Sequence, residues 1–265
     1  MLGQGTWQLG DRAAKRRQEI AALRAGIELG LTLIDTAELY GSGASEQLVA
    51  EAIAGHRDQV FLVTKVLPSN ATSRGKVVAA CEASLRRLRV DHVDLYLLHW
   101  RSGEDLAATV DAFNELARTG KIRHWGVSNF DVEDLEELRG IPGGDQVACN
   151  QVLYNVSRRG IEFDLLPAAR SSRMNVMAYT PIEQGKILGN PALKRVAARH
   201  RATPVQVALA WVLRQDGVVA IPRASSPEHV RENAAAADLV LDDADLRDID
   251  AAFAPPKKKR ALEMI

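Results

Sequence analysis

Four residues of the sequence have side chains that could carry acid–base chemistry together. Asp35 closes the apolar run Leu31–Ile34, and Tyr40 follows five residues later in LTLIDTAELYG. Lys65 lies in VFLVTKVLP, and His99 follows the apolar residues of LYLLHW. Because an unpaired buried charge costs several kcal/mol, a buried Asp35 and Lys65 are expected to pair.

This set suits the delivery of a proton to an oxygen that gains negative charge. A phenol has a pKa near ~10, and we expect the Lys65 ammonium to lower the pKa of Tyr40. Tyr40 could then act as a general acid, with Asp35 holding Lys65 and a neutral His99 orienting a carbonyl. The set contains no activated serine or cysteine nucleophile. Hydride addition to a carbonyl creates such an oxygen, and it requires a cofactor.

A metal site is not expected among these residues. The sequence has no second histidine at a helical or strand spacing that would complete a zinc site. Lys65 in the same cluster would also repel a cation.

Composition argues against several other classes of partner. The 265 residues carry 34 basic and 34 acidic side chains, so no net positive charge favours a nucleic acid or a membrane surface. No apolar run approaches the ~20 residues of a membrane helix, and the N-terminus has no secretory pattern. Cys81 and Cys149 are too few for a disulfide framework, so we expect a cytoplasmic protein with reduced cysteines. The tail PPKKKR (255–260) resembles a nuclear signal, but we interpret it as a solvated C-terminal segment.

Eight short apolar runs alternate with helical patterns along the chain. The predicted strands are Leu2–Thr6, Leu31–Thr36, Val60–Val66, Val93–Trp100, Trp125–Ser128, Val147–Leu153, Asn175–Thr180 and Val218–Pro222. Ser73 and Asp131 are predicted to cap helix starts, and Gly30 and Gly120 to end helices.

Eight strands alternating with helices predict the α/β class and a (β/α)₈ TIM barrel, as a single domain over residues 1–265. The rival architecture is a doubly wound sheet. Its G-x-G-x-x-G loop is absent after every predicted strand, although Gly3 and Gly5 come close. In a TIM barrel the active site lies at the carboxyl ends of the strands, so the polar residues that end the apolar runs should converge.

Polar residues at the ends of the later strands could hold a cofactor. The side chains of Ser128, Asn129 and Gln151 can hydrogen-bond a carboxamide, and the ring of Tyr179 can stack on an aromatic ring. Arg223 opens RASSPEHVREN (223–233), in which Ser225, Ser226 and a predicted helix N-terminus offer a phosphate site.

These residues lie in motifs that resemble those of the aldo-keto reductase family. The motifs are GTW (5–7), DTAELYG (35–41), TK (64–65), LLHW (97–100), GKIRHWGVSNF (120–130), NQVLY (150–154), AYTP (178–181) and IPRASSPEHVREN (221–233). They occur in the family's order and span nearly the whole chain. The resemblance implies a (β/α)₈ barrel that binds NADPH without a Rossmann domain and reduces aldehydes or ketones to alcohols.

The resemblance also implies roles for individual residues. The catalytic tetrad would be Asp35, Tyr40, Lys65 and His99, with Tyr40 as the proton donor. The substrate pocket would be formed by Trp7, Tyr40, His99 and Trp100. The cofactor site would comprise Gly5, Thr6, Trp7, Asp35, Ser128, Asn129, Gln151, Tyr179, Thr180, Pro181, Ile182, Arg223, Ala224, Ser225, His229, Glu232 and Asn233.

The sequence departs from the family pattern in three ways. Ala224 lacks the usual hydroxyl, and His229 stands where many members have an arginine for the 2′-phosphate, so NADPH should be preferred over NADH by a narrower margin. We expect the barrel to lack the family's N-terminal β-hairpin. The loops HWRSGEDL (99–106) and PIEQGKILGNPAL (181–193) look short, which suggests an open pocket for small aldehydes. The chain, including its tail APPKKKRALEMI, looks most like the bacterial methylglyoxal-reductase-type branch of the family.

Two other functions are also compatible with the sequence. Some relatives of this fold are nucleotide-sensing subunits of ion channels that keep the tetrad, and they would turn over far more slowly than ordinary enzymes. A different barrel enzyme could use Arg223 to grip a phosphorylated substrate, and it would not bind NADPH. The expected partner is a small-molecule carbonyl compound, and the expected oligomeric state is a monomer.

Overall fold

The computed structural model describes residues 1–102 and 106–265. In this part, eight parallel strands form one sheet in chain order. They are β1 (Gln4–Gly5), β2 (Leu33–Asp35), β3 (Phe61–Val66), β4 (Val93–Leu98), β5 (Ile122–Ser128), β6 (Cys149–Leu153), β7 (Asn175–Tyr179) and β8 (Val218–Ala220). The Gly3 amide donates to the Ala220 carbonyl at 2.8 Å and the Gly5 amide to the Pro222 carbonyl at 3.0 Å. The last strand is therefore bonded to the first, and the predicted (β/α)₈ barrel is confirmed.

Helices connect the strands and cover the outside of the barrel. They are α1 (Arg16–Glu28), α2 (Ala44–Ala52), α3 (Arg74–Leu88), α4 (Ala107–Arg118), α5 (Val132–Gly140), α6 (Leu165–Ser171), α7 (Pro191–His200), α8 (Pro204–Leu213), α9 (Pro227–Ala234) and α10 (Asp243–Ala252). Ser73 and Asp131 accept hydrogen bonds as the N-caps of α3 and α5, as predicted. Gly30 and Gly120 follow the ends of α1 and α4 with φ of +83° and +74°, a conformation that glycine adopts without strain.

Strand boundaries differ from the prediction where polar residues interrupt an apolar run. β5 begins at Ile122 rather than at Trp125, because Arg123 and His124 are exposed members of the strand. Arg123 pairs with Asp94 of the neighbouring strand at 3.3 Å, which explains why a charged residue is accepted there. No β-hairpin precedes β1 in the part of the chain that the structure describes.

Alternation along the strands places the polar residues inside the barrel. Successive side chains of a strand point to opposite faces, and a small inner cluster is formed by Leu33, Val63, Leu95, Leu97, Cys149, Met177 and Ile221. Asp35, Lys65 and His99 lie two residues beyond Leu33, Val63 and Leu97, so they share the inward face at the carboxyl end. Among the described residues, no helix is long and apolar enough to cross a membrane.

Candidate active site

The four candidate catalytic residues meet at the carboxyl end of the barrel. The Lys65 ammonium donates to Asp35 Oδ2 at 2.8 Å, to the Thr36 carbonyl at 2.8 Å and to Tyr40 Oη at 3.1 Å. Lys65 is fully buried, and these three acceptors match the three donors of an ammonium group. The ion pair predicted between Asp35 and Lys65 is therefore present.

Burial and charge act in opposite directions on Lys65 and Tyr40. Burial lowers the pKa of Lys65, but Asp35 and Tyr40 raise it by more than burial lowers it. The pKa of Lys65 is therefore above its usual value, and the ammonium stays charged. Burial raises the pKa of Tyr40, and the opposing effect of Lys65 is smaller, so the pKa of Tyr40 lies above its usual range. Lys65 does lower this pKa, as expected, but desolvation of the phenolate outweighs the attraction.

His99 is a neutral imidazole at the wall of the site. Burial, followed by the positive charge of Lys65, lowers the pKa of His99 from 6.5 to about 3. Its ring centroid lies 5.8 Å from that of Tyr40 in an edge-to-face arrangement and 5.1 Å from that of Trp100. Its Nδ1 is buried without a hydrogen-bond partner among the described residues.

A sharp turn after β2 brings Tyr40 over the lysine. The Tyr40 amide donates to the Ala37 carbonyl at 3.1 Å, and Gly41 and Ser42 then adopt φ of +55° and +52°. A Cβ on Gly41 would lie 2.6 Å from the Asp11 carboxylate. Position 41 therefore favours glycine for two reasons: its backbone is left-handed, and a Cβ there would be too close to Asp11.

The carboxamide-binding candidates form a connected hydrogen-bond network. Ser128 Oγ donates to the Gln151 carbonyl at 2.9 Å, and Tyr179 Oη donates to Asn129 Oδ1 at 2.9 Å. Gln151 Nε2 donates to Asp35 Oδ1 at 2.8 Å. The network therefore reaches the carboxylate that holds Lys65.

A cavity of about 500 Å³ opens in front of these groups. Its lining includes most of the residues predicted for the site: Gly5, Thr6, Trp7, Asp35, Tyr40, His99, Trp100, Ser128, Asn129, Gln151, Tyr179, Thr180, Pro181, Ile182 and Arg223. Lys65 lies behind Tyr40 and Asp35 and does not line the cavity.

Five residues of the predicted cofactor site do not line this cavity. They are Ala224, Ser225, His229, Glu232 and Asn233. Asn233 is buried, with Ala224 beside it at a small gap near Gln4, whereas His229 is exposed on α9. The Ser226 hydroxyl accepts from the His229 amide at 3.4 Å as the N-cap of α9. The assignment of these residues to the cofactor stays a prediction.

Sequence reasoning missed part of the cavity lining. Gln8, Leu39, Gln184, Gly185, Ile221, Pro222, Met264 and Ile265 also line it. The PPKKKR segment is mostly exposed, as predicted, but the chain then turns back, and Met264 and Ile265 reach the cavity. The apolar residues of LEMI (262–265) directly after a charged run were the available signal. The predicted short loop HWRSGEDL (99–106) includes residues 103–105, which lie outside the described part of the chain.

No group of three or more potential metal ligands occurs among the residues that the structure describes. The chemistry at this end of the barrel is that of a buried lysine–tyrosine contact, a neutral imidazole and an amide-rich wall.

The sequence matches the family described as the Aldo/keto reductase family over residues 1–254. Methylglyoxal reductase YeaE of Escherichia coli (strain K12) is 51% identical over 269 residues, covering 100% of this chain and 94% of that protein.

Two solved structures of an aldo/keto reductase from Klebsiella pneumoniae superpose closely. One, in complex with NADP and acetate, has a TM-score of 0.97 and 48% identity, covering 100% of this chain and 95% of that chain. The other, in complex with NADPH, has a TM-score of 0.96 and 48% identity, covering 100% of this chain and 94% of that chain.

Proposed function

We propose that this chain, which belongs to the aldo/keto reductase family, reduces small aldehydes such as methylglyoxal. Tyr40 is the proposed proton donor. Membership makes it an NAD(P)H-dependent oxidoreductase, and NADPH is the family's cofactor. The observation that carries the proposal is the 3.1 Å contact between Lys65 Nζ and Tyr40 Oη beside a cavity.

Tyr40 is suited to give a proton to a carbonyl oxygen as that oxygen becomes negative. Its pKa lies above the usual range for a tyrosine, so the hydroxyl is protonated at neutral pH. When the proton leaves, the phenolate forms next to a buried ammonium and is stabilised there. The Lys65 contact therefore matters most after the transfer has begun, which is when a catalytic interaction lowers the barrier.

Asp35 keeps Lys65 charged and in place. Its Oδ2 accepts from the ammonium, and its Oδ1 accepts from Gln151. Both carboxylate oxygens are thereby fixed, and the lysine cannot turn away from Tyr40 without losing its ion pair.

His99 is proposed to orient the substrate carbonyl. A neutral imidazole can donate one N–H to the carbonyl oxygen, and the low pKa of His99 keeps it neutral. A positive imidazolium at this point would compete with Tyr40 as the acid.

The residues that line the cavity fit a nicotinamide cofactor. When bound there, NADPH would supply a hydride for the carbonyl carbon. The Tyr179 ring lies at the wall for stacking, and Ser128, Asn129 and Gln151 present amide and hydroxyl groups for a carboxamide. Arg223 lines the same cavity and is exposed, which places a positive charge within reach of a phosphate.

The proposed substrate class follows from the relative and from the cavity wall. YeaE is a methylglyoxal reductase by name and shares half of its residues with this chain. The wall around Tyr40 includes Trp7, Leu39 and Trp100, which present large apolar surfaces to an aldehyde.

We also propose that residues 1–265 form one domain, and that the protein is a cytoplasmic monomer without a nucleic-acid partner.

The test is loss of absorbance at the reduced-nicotinamide band with methylglyoxal, a benzaldehyde and a ketosteroid, each with NADPH and with NADH. Fast turnover of the aldehydes with NADPH supports the proposal. Tight NADPH binding without turnover of any substrate would contradict it and favour a nucleotide-sensing role.

A further inference from the structure

Arg158 forms ion pairs with two separate segments that both line the cavity. Its Nε and Nη2 donate to Glu183 Oε1 at 3.1 and 3.0 Å, and its Nη1 donates to Glu263 Oε1 at 2.7 Å. Glu183 belongs to the loop after β7 (180–190), and Glu263 belongs to the C-terminal segment (254–265). We call these three side chains the Arg158 bridge.

The loop after β7 has a backbone that needs outside support. Thr180, Glu183 and Gln184 have φ of +53°, +47° and +53°, a region that residues other than glycine rarely adopt. Such a conformation persists only when surrounding contacts fix it. Five residues of this loop line the cavity: Thr180, Pro181, Ile182, Gln184 and Gly185. The shape of this wall therefore depends on what holds Glu183.

Both carboxylate oxygens of Glu183 are held from the turn after β6. Oε1 accepts from Arg158, and Oε2 accepts from Asn155 Nδ2 at 2.7 Å. The Glu183 side chain is only 9% exposed. Asn155 Oδ1 in turn accepts from the Arg158 amide at 3.0 Å, so the backbone that presents the guanidinium is itself fixed.

The C-terminal segment has side-chain contacts in place of regular structure. No helix or strand follows Ala252 in the described chain. Leu262 packs against the core, and Glu263 pairs with Arg158. The next two residues, Met264 and Ile265, line the cavity. Glu263 therefore anchors the segment immediately before the residues that face the ligand.

We propose that Arg158 is a positioning residue that couples the loop after β7 to the C-terminal segment and so controls ligand exchange. The inference rests on the proposed function, because the ligands it names are NADPH and an aldehyde. Arg158 does not line the cavity, so it acts only through Glu183 and Glu263. The Glu183 contact supports the predicted cofactor residues Thr180, Pro181 and Ile182, and the Glu263 contact positions the apolar wall of Met264 and Ile265.

Loss of the Glu183 contact and loss of the Glu263 contact should therefore change different kinetic constants. Glu183→Gln should speed NADPH release and leave the KM for methylglyoxal within twofold of wild type. Glu263→Gln should raise the KM for methylglyoxal and leave NADPH release within twofold. Arg158→Ala should do both, by roughly threefold to tenfold each, which is the range of partly exposed ion pairs and their couplings.

The experiment compares Arg158→Ala, Arg158→Lys, Glu183→Gln and Glu263→Gln with the wild-type chain. Arg16→Ala is the matched control, because Arg16 pairs with Glu51 at 2.7 Å on a partly exposed surface outside the cavity. Stopped-flow fluorescence gives NADPH release, and steady-state assays give KM and kcat. Hydrogen exchange of peptides from 180–190 and 254–265, without cofactor, reports the coupling independently of any activity.

Faster exchange in both segments of Arg158→Ala, together with faster NADPH release and a higher KM, supports the inference. Partial recovery in Arg158→Lys supports it further, because lysine keeps the charge without the fork geometry. Unchanged exchange in both segments overturns it, even if the chain proves not to bind NADPH. Faster hydrogen exchange with an unchanged NADPH release rate and an unchanged KM also overturns it. The contacts would then stabilise the two segments without affecting ligand binding.

Discussion

Gln151 Nε2 donates a 2.8 Å hydrogen bond to Asp35 Oδ1, while the other oxygen of that carboxylate holds Lys65. The residue proposed to bind the nicotinamide amide is thus in direct contact with the residue proposed to position the lysine. Cofactor binding and the proton-donor group are linked through one carboxylate.

Gln151→Leu should therefore affect both processes. We expect NADPH affinity to fall by roughly tenfold, because a hydrogen bond between neutral groups is worth about 0.5–1.5 kcal/mol. We expect kcat to fall as well, because the charged Asp35 loses a hydrogen bond worth about 1.5–3 kcal/mol. Fluorescence titration with NADPH and single-turnover rates measure the two effects. Gln47→Leu, at an exposed position on α2, is the control. Unchanged NADPH affinity in Gln151→Leu would remove this residue from the cofactor site.

Lys65→Met should destabilise the fold as well as stop turnover. The change leaves the buried Asp35 carboxylate without its cation, so we expect a loss of about 3–5 kcal/mol in the free energy of unfolding. Adding Asp35→Asn removes the second charge and should recover much of that stability but none of the activity. Urea unfolding of the wild type, the single variant and the double variant tests this. A double variant no more stable than Lys65→Met would show that the buried charge is not the cause.

His99 should make the fold less stable in mild acid. Its pKa in the folded chain is about 3, against 6.5 as the ordinary value. Between these two values the unfolded chain binds a proton that the folded chain does not, so the free energy of unfolding falls as the pH falls below 6.5. From pH 7 to pH 5 this contribution is about 2 kcal/mol.

His99→Asn should lack that part of the pH dependence, and the other histidines are common to both proteins. Urea unfolding at pH 7 and pH 5 gives the comparison. Equal losses of stability in the two proteins would mean that the imidazole is not buried in its neutral form.

His229→Arg should increase the preference for NADPH over NADH. His229 is exposed at the start of α9, and an arginine there would place a permanent charge near a 2′-phosphate. We expect the ratio of kcat/KM for the two cofactors to rise by roughly tenfold, as charge-assisted contacts allow. A ratio that stays the same would place His229 outside the adenosine site.

The sequence predicted the site best where a polar residue ends an apolar strand and its side chain points into the barrel. Asp35, Lys65 and His99 each close an apolar strand on its inward face, so their convergence followed from the barrel alone. The direction of the Tyr40 pKa did not, because it depends on how much water the surrounding loops exclude. The Arg158–Glu263 contact joins residues 105 positions apart, and no local sequence pattern predicts such a pair. The start of β5 was missed because two exposed polar residues interrupt its apolar run.

The role of Tyr40 is tested most directly by single-turnover reduction of methylglyoxal with Tyr40→Phe and saturating NADPH. Tyr154→Phe is the control, because Tyr154 donates to Glu162 at 2.7 Å and does not line the cavity. We predict that Tyr40→Phe loses roughly 10²–10⁴-fold of the rate and keeps its affinity for NADPH, while Tyr154→Phe keeps the wild-type rate. A Tyr40→Phe rate within a factor of a few of wild type would contradict the assignment of Tyr40 as the proton donor.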